Sequence, residues 1–342
     1  MSASSRLLLV ATLAVAALSL PVRAQEGFKF KSGVELVNVT TTVTGPDGRF
    51  MSGLNKEDFT IFDDDQPQPI THFSNERAAV SLGIVLDTSG SMADGKMASA
   101  KAAISRFVTE LLGDNDELFL MEFNDRITLS QDWTLNRADV TRTVNRVTPV
   151  GGTALYDAIA QSLPVAAAGR HPKKALLVIS DGNDSDSRIG VSELRQAIRE
   201  SEVLVYALGI DGSGQGASPR PSSQPPRQPF PPSPVPMPGG RGRPRFPLAL
   251  PQLGGWSLGS SNSGVNASAL RQITDDTGGR TEIIREIKEL DPATARIADE
   301  LSRQYLLGYA SPGLRDGRWH TIRVEVKNRS ATVRARKGYI SS

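Results

Sequence analysis

Short apolar runs alternate with segments of helical periodicity through the centre of the chain. The runs have the length of buried strands and cover residues 80–87, 117–123, 175–180 and 203–210, with a shorter run at 127–129. Between them, apolar residues recur at helical spacing, as in Met97, Ala100, Ile104, Phe107, Val108 and Leu111. This alternation predicts an α/β fold with a doubly wound, mostly parallel sheet that carries helices on both faces.

The two ends of the chain have a different pattern, which is typical of β structure. Residues 34–44 are rich in β-branched side chains, and 59–62 and 70–73 are further short strand-like runs. Near the other end, residues 319–326 alternate cleanly between polar and apolar positions. We expect these two terminal regions to pair into one small β sandwich beside the central sheet.

One stretch, residues 212–263, interrupts the central pattern. Pro, Gly, Ser and Arg dominate it, and such a composition buries too little apolar surface to order itself. We interpret it as a disordered insertion. The predicted organisation is then an N-terminal β region at 25–78, a central α/β domain at 79–310 that contains the insertion, and a C-terminal β hairpin region at 311–342, which pairs with 25–78.

The first residues have the pattern of a signal peptide. Arg6 precedes an apolar run over residues 7–20, and Val22 and Ala24 are suitable for the positions before a cleavage site. The run is too short for a membrane span, and no stop-transfer segment follows it. We therefore expect residues 1–24 to be removed and the protein to be exported, either to a bacterial periplasm or to the outside.

Composition and charge narrow the classes of function. The formal net charge is +2, and cleavage of the predicted signal peptide brings it to about zero, so no nucleic-acid partner is implied. The chain contains no cysteine, which excludes a thiol nucleophile, a thiolate metal site and disulfides. No membrane span is expected after cleavage.

Oxygen-bearing side chains follow the predicted strands at three loops. Asp87, Ser89 and Ser91 follow the first strand, Thr153 lies in a glycine turn that opens a helix, and Asp181 follows the strand at 175–180. The carboxyl ends of parallel strands share one edge of a sheet, where open α/β folds bind ligands. Two carboxylates and three hydroxyls suit Mg²⁺, and they leave a coordination position for an incoming carboxylate.

Polar residues around these loops have simpler interpretations. Asp157 is expected to form a hydrogen bond that supports the site without contacting the ion. Asn183, Asp184 and Asp186 are typical of solvated turns; the alternative is that they contact the ion or a partner. The acidic triplet Asp63-Asp64-Asp65 is either a solvated turn or a calcium loop. The three histidines, His72, His171 and His320, are expected to be structural.

Two enzymatic hypotheses compete with a binding site. A phosphotransferase of the haloacid dehalogenase type needs a second carboxylate two residues after Asp87, and position 89 is serine. A serine hydrolase would use Ser257 in Gly-Trp-Ser-Leu-Gly, with Asp275 or Asp316 and then His320. That serine lacks the strand before it and the helix after it that the motif requires. We therefore predict that the protein is not an enzyme.

Three motifs together resemble those of a known family. Asp87-Thr-Ser-Gly-Ser91, Gly-Gly-Thr153 and Ser-Asp181-Gly resemble the metal-ion-dependent adhesion site (MIDAS) of von Willebrand factor type A domains. The flanks, such as Gln304-Tyr-Leu-Leu-Gly-Tyr, resemble secreted acidobacterial proteins with a related domain. The resemblance implies a Rossmann-like sheet, Mg²⁺ or Mn²⁺ held by Asp87, Ser89, Ser91, Thr153 and Asp181, and a protein ligand that donates Glu or Asp to the metal. Some relatives switch between closed and open states.

The sequence therefore predicts an exported, metal-dependent protein-binding module of the cell adhesion type. The alternative is a structural scaffold of the cell envelope, in which the metal site is vestigial or structural and the terminal β unit is the working surface. Neither hypothesis identifies a partner or an oligomeric state.

Overall fold

A computed structural model of the chain describes residues 36–93, 95–211, 265–311, 316–328 and 330–341. The predicted signal peptide, the predicted insertion at 212–263 and Ser257 lie outside the described residues. Within these described ranges, no helix is long and apolar enough to cross a membrane.

The central sheet has six strands in the order β10-β9-β8-β5-β6-β7. All neighbouring strands are parallel except β6 and β7, which are antiparallel. The predicted doubly wound, mostly parallel sheet is therefore confirmed, with one additional edge strand that the sequence pattern did not indicate, β10. The strands are β5 (Val80–Asp87), β6 (Glu117–Phe123), β7 (Ile127–Thr134), β8 (Lys173–Ser180), β9 (Leu204–Ile210) and β10 (Thr281–Ile284).

Two hydrophobic cores cover the two faces of this sheet because strand side chains alternate between faces. On β5, Leu82, Ile84 and Leu86 enter one core, and Val85 enters the other. Helices α1, α2 and α6 supply apolar residues to the first core, and α3, α4 and α5 supply the second. The helices are α1 (Lys96–Arg106), α2 (Arg137–Arg146), α3 (Leu155–Ala167), α4 (Val191–Glu200), α5 (Ala267–Thr274) and α6 (Leu290–Ser302).

Helix α3 tolerates a proline in its last turn. From the sequence, Pro164 predicts a kink or an early end, because proline lacks the amide that bonds to the preceding turn. The helix nevertheless continues to Ala167, and the Ala168 amide donates to the carbonyls of Pro164 and Val165. The prediction of an early end was wrong, because only one helical hydrogen bond is lost this close to the end of the helix.

The terminal regions form two antiparallel four-stranded sheets, β13-β1-β11-β4 and β14-β12-β2-β3. Apolar residues from both sheets share one core, which includes Val39, Ile61, Leu307 and Ile322. Strand β11 lies between β1 and β4, so residues 305–310 pair with the terminal region rather than with the central sheet. The strands are β1 (Leu36–Thr44), β2 (Phe59–Asp63), β3 (Gln66–Gln68), β4 (Ile70–Ser74), β11 (Tyr305–Ala310), β12 (Trp319–Val326), β13 (Thr332–Ala335) and β14 (Gly338–Ile340).

A buried carboxylate, Asp276, ties the central domain to the flanking β unit. Its oxygens accept hydrogen bonds from Arg195 and Arg199 of α4, at 3.0 and 2.9 Å, and from Lys337, which lies between β13 and β14, at 3.1 Å. Burial opposes the charged form of Asp276, but these three cations outweigh it and hold the pKa of this carboxyl below its usual range.

Replacing Asp276 by alanine is expected to lower the free energy of unfolding by about 1–3 kcal/mol, because three partly exposed cationic groups lose their shared hydrogen-bonded partner. Denaturant unfolding of the variant measures the loss. The matched control is Asp275→Ala, which removes the neighbouring exposed carboxylate and should change stability by less than about 0.5 kcal/mol. Equal stabilities of the two variants would show that the cluster contributes little.

Candidate metal site

The parallel pairing of β5 and β8 brings two of the predicted ligands to neighbouring positions. Leu86 pairs with Ile179, so Asp87 at the end of β5 lies opposite Ser180, and Asp181 is the next residue. The Ser180 hydroxyl donates to Asp87 Oδ2 at 2.6 Å. Both carboxylates are buried at the carboxyl edge of the sheet.

The first loop presents its hydroxyls beside Asp87. The Ser89 amide donates to Asp87 Oδ1 at 2.9 Å, which turns the chain immediately after the strand. The hydroxyl oxygens of Ser89 and Ser91 are 3.0 Å apart. Ser89 is buried and Ser91 is exposed, so the loop leads from the buried carboxylates to solvent.

The second loop is hydrogen-bonded to the first through its backbone. The Gly90 amide donates to the Gly151 carbonyl at 2.9 Å, and the Val150 amide donates to the Thr88 carbonyl at 2.8 Å. Gly151 has a φ of +80°, a left-handed conformation that glycine adopts without strain. These contacts hold the loop that carries Thr153 against the loop that carries Ser89 and Ser91.

The third loop fixes the position of Thr153. The Thr153 amide donates to Asp186 Oδ2 at 2.9 Å and to the Ser185 hydroxyl at 3.1 Å. A Cβ at position 152 would lie 1.8 Å from Asp186 Oδ2, so a residue other than glycine would displace this carboxylate from its present position. Asp186 therefore orients the second loop through the backbone, which is a structural role.

Asp157 and Asp184 join the third loop to helix α3. The Asp157 carboxylate accepts hydrogen bonds from the amides of Arg188 and Ile189, at 3.1 Å each. The Tyr156 amide donates to Asp184 Oδ1 at 3.3 Å. The supporting hydrogen bond predicted for Asp157 is thus present in the structure.

Lys96 is a site residue that the sequence analysis missed. Its ammonium lies 2.9 Å from Asp181 Oδ2, and the two side chains are only 9% and 1% exposed. The other oxygen of Asp181 accepts a hydrogen bond from the Asn183 amide at 3.2 Å. Lys96 is the first residue of α1, where the helix dipole disfavours a cation.

The electrostatics of the site favour an added cation. Burial raises the pKa of Asp87 to about 6, against hydrogen bonds from Ser180 and Ser89 that lower it, and the nearby charge of Asp181 adds to the increase. A cation close to both carboxylates would favour their charged forms. The single ammonium of Lys96 neutralises only one of the two charges when both carboxyls are ionised.

The donor set fits a hard divalent cation. Asp87, Ser89, Ser91, Thr153 and Asp181 offer only oxygen, and the described loops that carry them are hydrogen-bonded to one another. These residues would hold Mg²⁺ or Mn²⁺, and the Lys96 ammonium would compete with such an ion for Asp181. Asn266 marks one boundary of the site, since its amide donates to the Asp181 carbonyl at 2.7 Å where the chain enters α5.

The chain is similar to several proteins of known structure. It is 20% identical to the protein BatB from Bacteroides thetaiotaomicron, covering 65% of this chain and 98% of that one, with a TM-score of 0.44. A von Willebrand factor type A protein from Catenulispora acidiphila is 13% identical over 91% of this chain and 75% of that one, with a TM-score of 0.47. The von Willebrand factor domain of the pilus tip protein Mfa5 from Porphyromonas gingivalis is 22% identical over 32% and 39% of the two chains, with a TM-score of 0.30.

A search of curated proteins found no match to this sequence. A family model does match: residues 82–183, which run from β5 to the loop after β8 and include all the predicted ligands, match the von Willebrand factor type A domain. This match agrees with the order of the strands and helices in the central sheet. Over residues 82–183, the central α/β unit is therefore similar to the von Willebrand factor type A domain.

Proposed function

We propose that this protein is an exported, non-enzymatic binding module that recognises a protein partner through a metal ion. Asp87, Ser89, Ser91, Thr153 and Asp181 would hold Mg²⁺ or Mn²⁺ at the carboxyl edge of the central sheet. When bound, the ion would supply an open coordination position for a Glu or Asp side chain of the partner. The observation that carries the proposal is the contact between three loops, each with an oxygen donor of the predicted set.

The shape of the site supports recognition of a large ligand. The carboxylates lie buried at the base, and Ser91 and Gly151 are exposed at the rim, so a protruding side chain of a partner has access from solvent. The two hydroxyls of Ser89 and Ser91 can rotate to present lone pairs to a cation. Export is proposed from the signal-peptide pattern of residues 1–24.

A second candidate is the structural scaffold, and the Lys96–Asp181 ion pair favours it. A buried ammonium at 2.9 Å from a carboxylate already supplies a positive charge to the site. In a scaffold this pair would replace the metal permanently, and the terminal β unit would be the working surface. The two functions differ in one measurable respect, which is whether binding to other proteins requires a divalent cation.

Affinity capture from the native cell envelope tests the proposal. The wild-type chain is expected to capture a partner in Mg²⁺ and to lose it in EDTA. Thr153→Val removes one hydroxyl ligand but keeps the amide that bonds to Asp186, so it should lose the partner without unfolding. The matched control, Thr143→Val on α2, removes a hydroxyl that bonds only to the Asp139 carbonyl and should capture as the wild type does. Capture that is equal in Mg²⁺ and EDTA would exclude the metal-dependent function.

A further inference from the structure

A second group of potential metal ligands lies in the terminal β unit. Strand β2 ends at Asp63, and Asp64 and Asp65 form the turn to β3. Strand β12 pairs with β2 and brings His320 beside this turn. Asp63, Asp64 and His320 each contribute one potential ligand atom, and these three atoms lie within 4.8 Å of one another.

His320 is oriented by carboxylates on both sides of its ring. Its Nδ1 is 2.9 Å from Asp64 Oδ2 and 3.8 Å from Asp63 Oδ1. Its Nε2 is 3.2 Å from Asp316 Oδ1, and the ring stacks on Tyr339 with centroids 5.3 Å apart. The imidazole therefore has a fixed orientation, with Nδ1 directed at two carboxylates and Nε2 directed at a third.

Asp63 provides an independent indication of a ligand. Its carboxylate is only 2% exposed, and Oδ2 accepts hydrogen bonds from the hydroxyls of Tyr309 and Tyr339, at 2.9 Å each. Oδ1 is buried and has no hydrogen-bond partner among the residues that the structure describes. A buried carboxylate oxygen without a partner is unfavourable, and this one faces His320 Nδ1.

We propose that Asp63, Asp64 and His320 bind a divalent cation of the Zn²⁺ class. Asp63 Oδ1, Asp64 Oδ2 and His320 Nδ1 would be the ligands, and solvent would fill the remaining position. A nitrogen ligand together with two carboxylates suits Zn²⁺ and disfavours Mg²⁺ and Ca²⁺, which prefer oxygen alone. The Nε2–H would donate to Asp316, which is the outer hydrogen bond that orients metal-binding histidines in proteins.

A proton on His320 Nδ1 could occupy the same place between the imidazole and the carboxylates as a metal ion. Burial opposes the charged form of His320, but hydrogen bonds to Asp316 and Asp64 outweigh it and raise the pKa of the imidazole. A protonated His320 would satisfy the carboxylates without any ion, and Zn²⁺ would have to displace the proton from Nδ1. The experiment must therefore separate metal binding from an imidazolium–carboxylate cluster.

Binding of Zn²⁺ to the tag-free chain, measured by calorimetry in excess Mg²⁺, tests this proposal. The wild type is expected to bind about one Zn²⁺ with an affinity that falls at least about tenfold in Asp64→Asn. Asp64 is 53% exposed, so the variant should fold. The matched control is Asp65→Asn, the neighbouring turn residue, whose carboxylate is 88% exposed and pairs only with Arg323; it should bind Zn²⁺ as the wild type does.

A spectroscopic readout identifies the liganding atom. Addition of Zn²⁺ should shift the ¹⁵N resonance of His320 Nδ1, whereas Mg²⁺ should leave it unchanged. Zn²⁺ binding should also survive in Asp87→Ala, which removes a ligand of the proposed adhesion site, so failure of one site is distinguishable from failure of the other. Any one of three results would overturn the proposal. These are the absence of saturable Zn²⁺ binding, an equal Zn²⁺ affinity of wild type and Asp64→Asn, and the loss of Zn²⁺ binding in Asp87→Ala.

Discussion

Asp87→Ala is expected to abolish binding of Mg²⁺ and Mn²⁺ in calorimetric titrations, a loss of about 100-fold or more in affinity. Asp87 lies buried at the base of the site, where it is held by hydrogen bonds from the Ser89 amide and the Ser180 hydroxyl, and its removal leaves Asp181 as the one carboxylate of the proposed ligand set. The fold should persist, because burial already disfavours the ionised carboxyl and raises its pKa to about 6. Circular dichroism of the variant checks the fold independently of the metal.

The matched control removes a buried carboxylate that lies just before β6 and bonds to the first residue of β5, at the opposite edge of the sheet. Asp116 accepts hydrogen bonds from the amides of Val80 and Gly113, at 2.9 and 2.7 Å, and it is as inaccessible as Asp87. Asp116→Ala should lower stability but leave the affinity for Mg²⁺ unchanged. If Asp87→Ala bound Mg²⁺ as well as Asp116→Ala does, the proposed ligand set would be wrong.

Lys96→Met is expected to have two opposite effects if Lys96, which pairs with Asp181, competes with the proposed metal for that carboxylate. Without metal, the variant should lose about 3–5 kcal/mol of stability, since the substitution leaves Asp181 as a buried carboxylate without its cation. Its affinity for Mg²⁺ should rise by at least about tenfold, because no ammonium has to be displaced. Unfolding measured with and without millimolar Mg²⁺ should therefore show a larger stabilisation by metal in the variant than in the wild type.

Lys101→Met is the control for the loss of a lysine from helix α1. The Lys101 ammonium donates to the carbonyls of Asn145 and Val147, at 3.0 and 2.8 Å, so its loss leaves the charge of the site unchanged. The affinity of the Lys101→Met variant for Mg²⁺ should equal that of the wild type. A Lys96→Met variant with unchanged metal affinity would show that Lys96 does not compete. Absence of metal binding in both wild type and Lys96→Met would favour the scaffold.

The central fold was largely predictable from the sequence because each buried strand is a continuous apolar run. Strand β10 was missed for a physical reason: it is a short edge strand, and only Ile284 of Thr281–Ile284 is buried. The pairing of the terminal regions was predicted from alternation at residues 319–326. The position of β11 between β1 and β4 was not, because an apolar run does not specify which sheet it joins.

The proximity of the candidate site residues was predictable where they follow parallel strands, because the carboxyl ends of such strands lie at the same edge of the sheet. Asp87 and Asp181 follow adjacent parallel strands, and their proximity follows from that register alone. Lys96 was not predictable, because its contact joins side chains 85 positions apart and depends on where α1 begins. The same holds for Asp64 and His320, 256 positions apart, whose contact follows from the pairing of β2 with β12. Metal ligation at either place remains a prediction.

The location of β1 in its sheet has a consequence for the order of folding. This strand lies between β11 and β13, and its Thr44 hydroxyl donates to the carbonyl of Thr332, 288 positions away. During synthesis from the N-terminal side, β1 has neither neighbour until those later segments emerge. Closing so long a loop is slow, so the terminal sandwich should be the last part of the protein to form. A chaperone that protects an unpaired β1 would therefore act before the terminal sandwich forms.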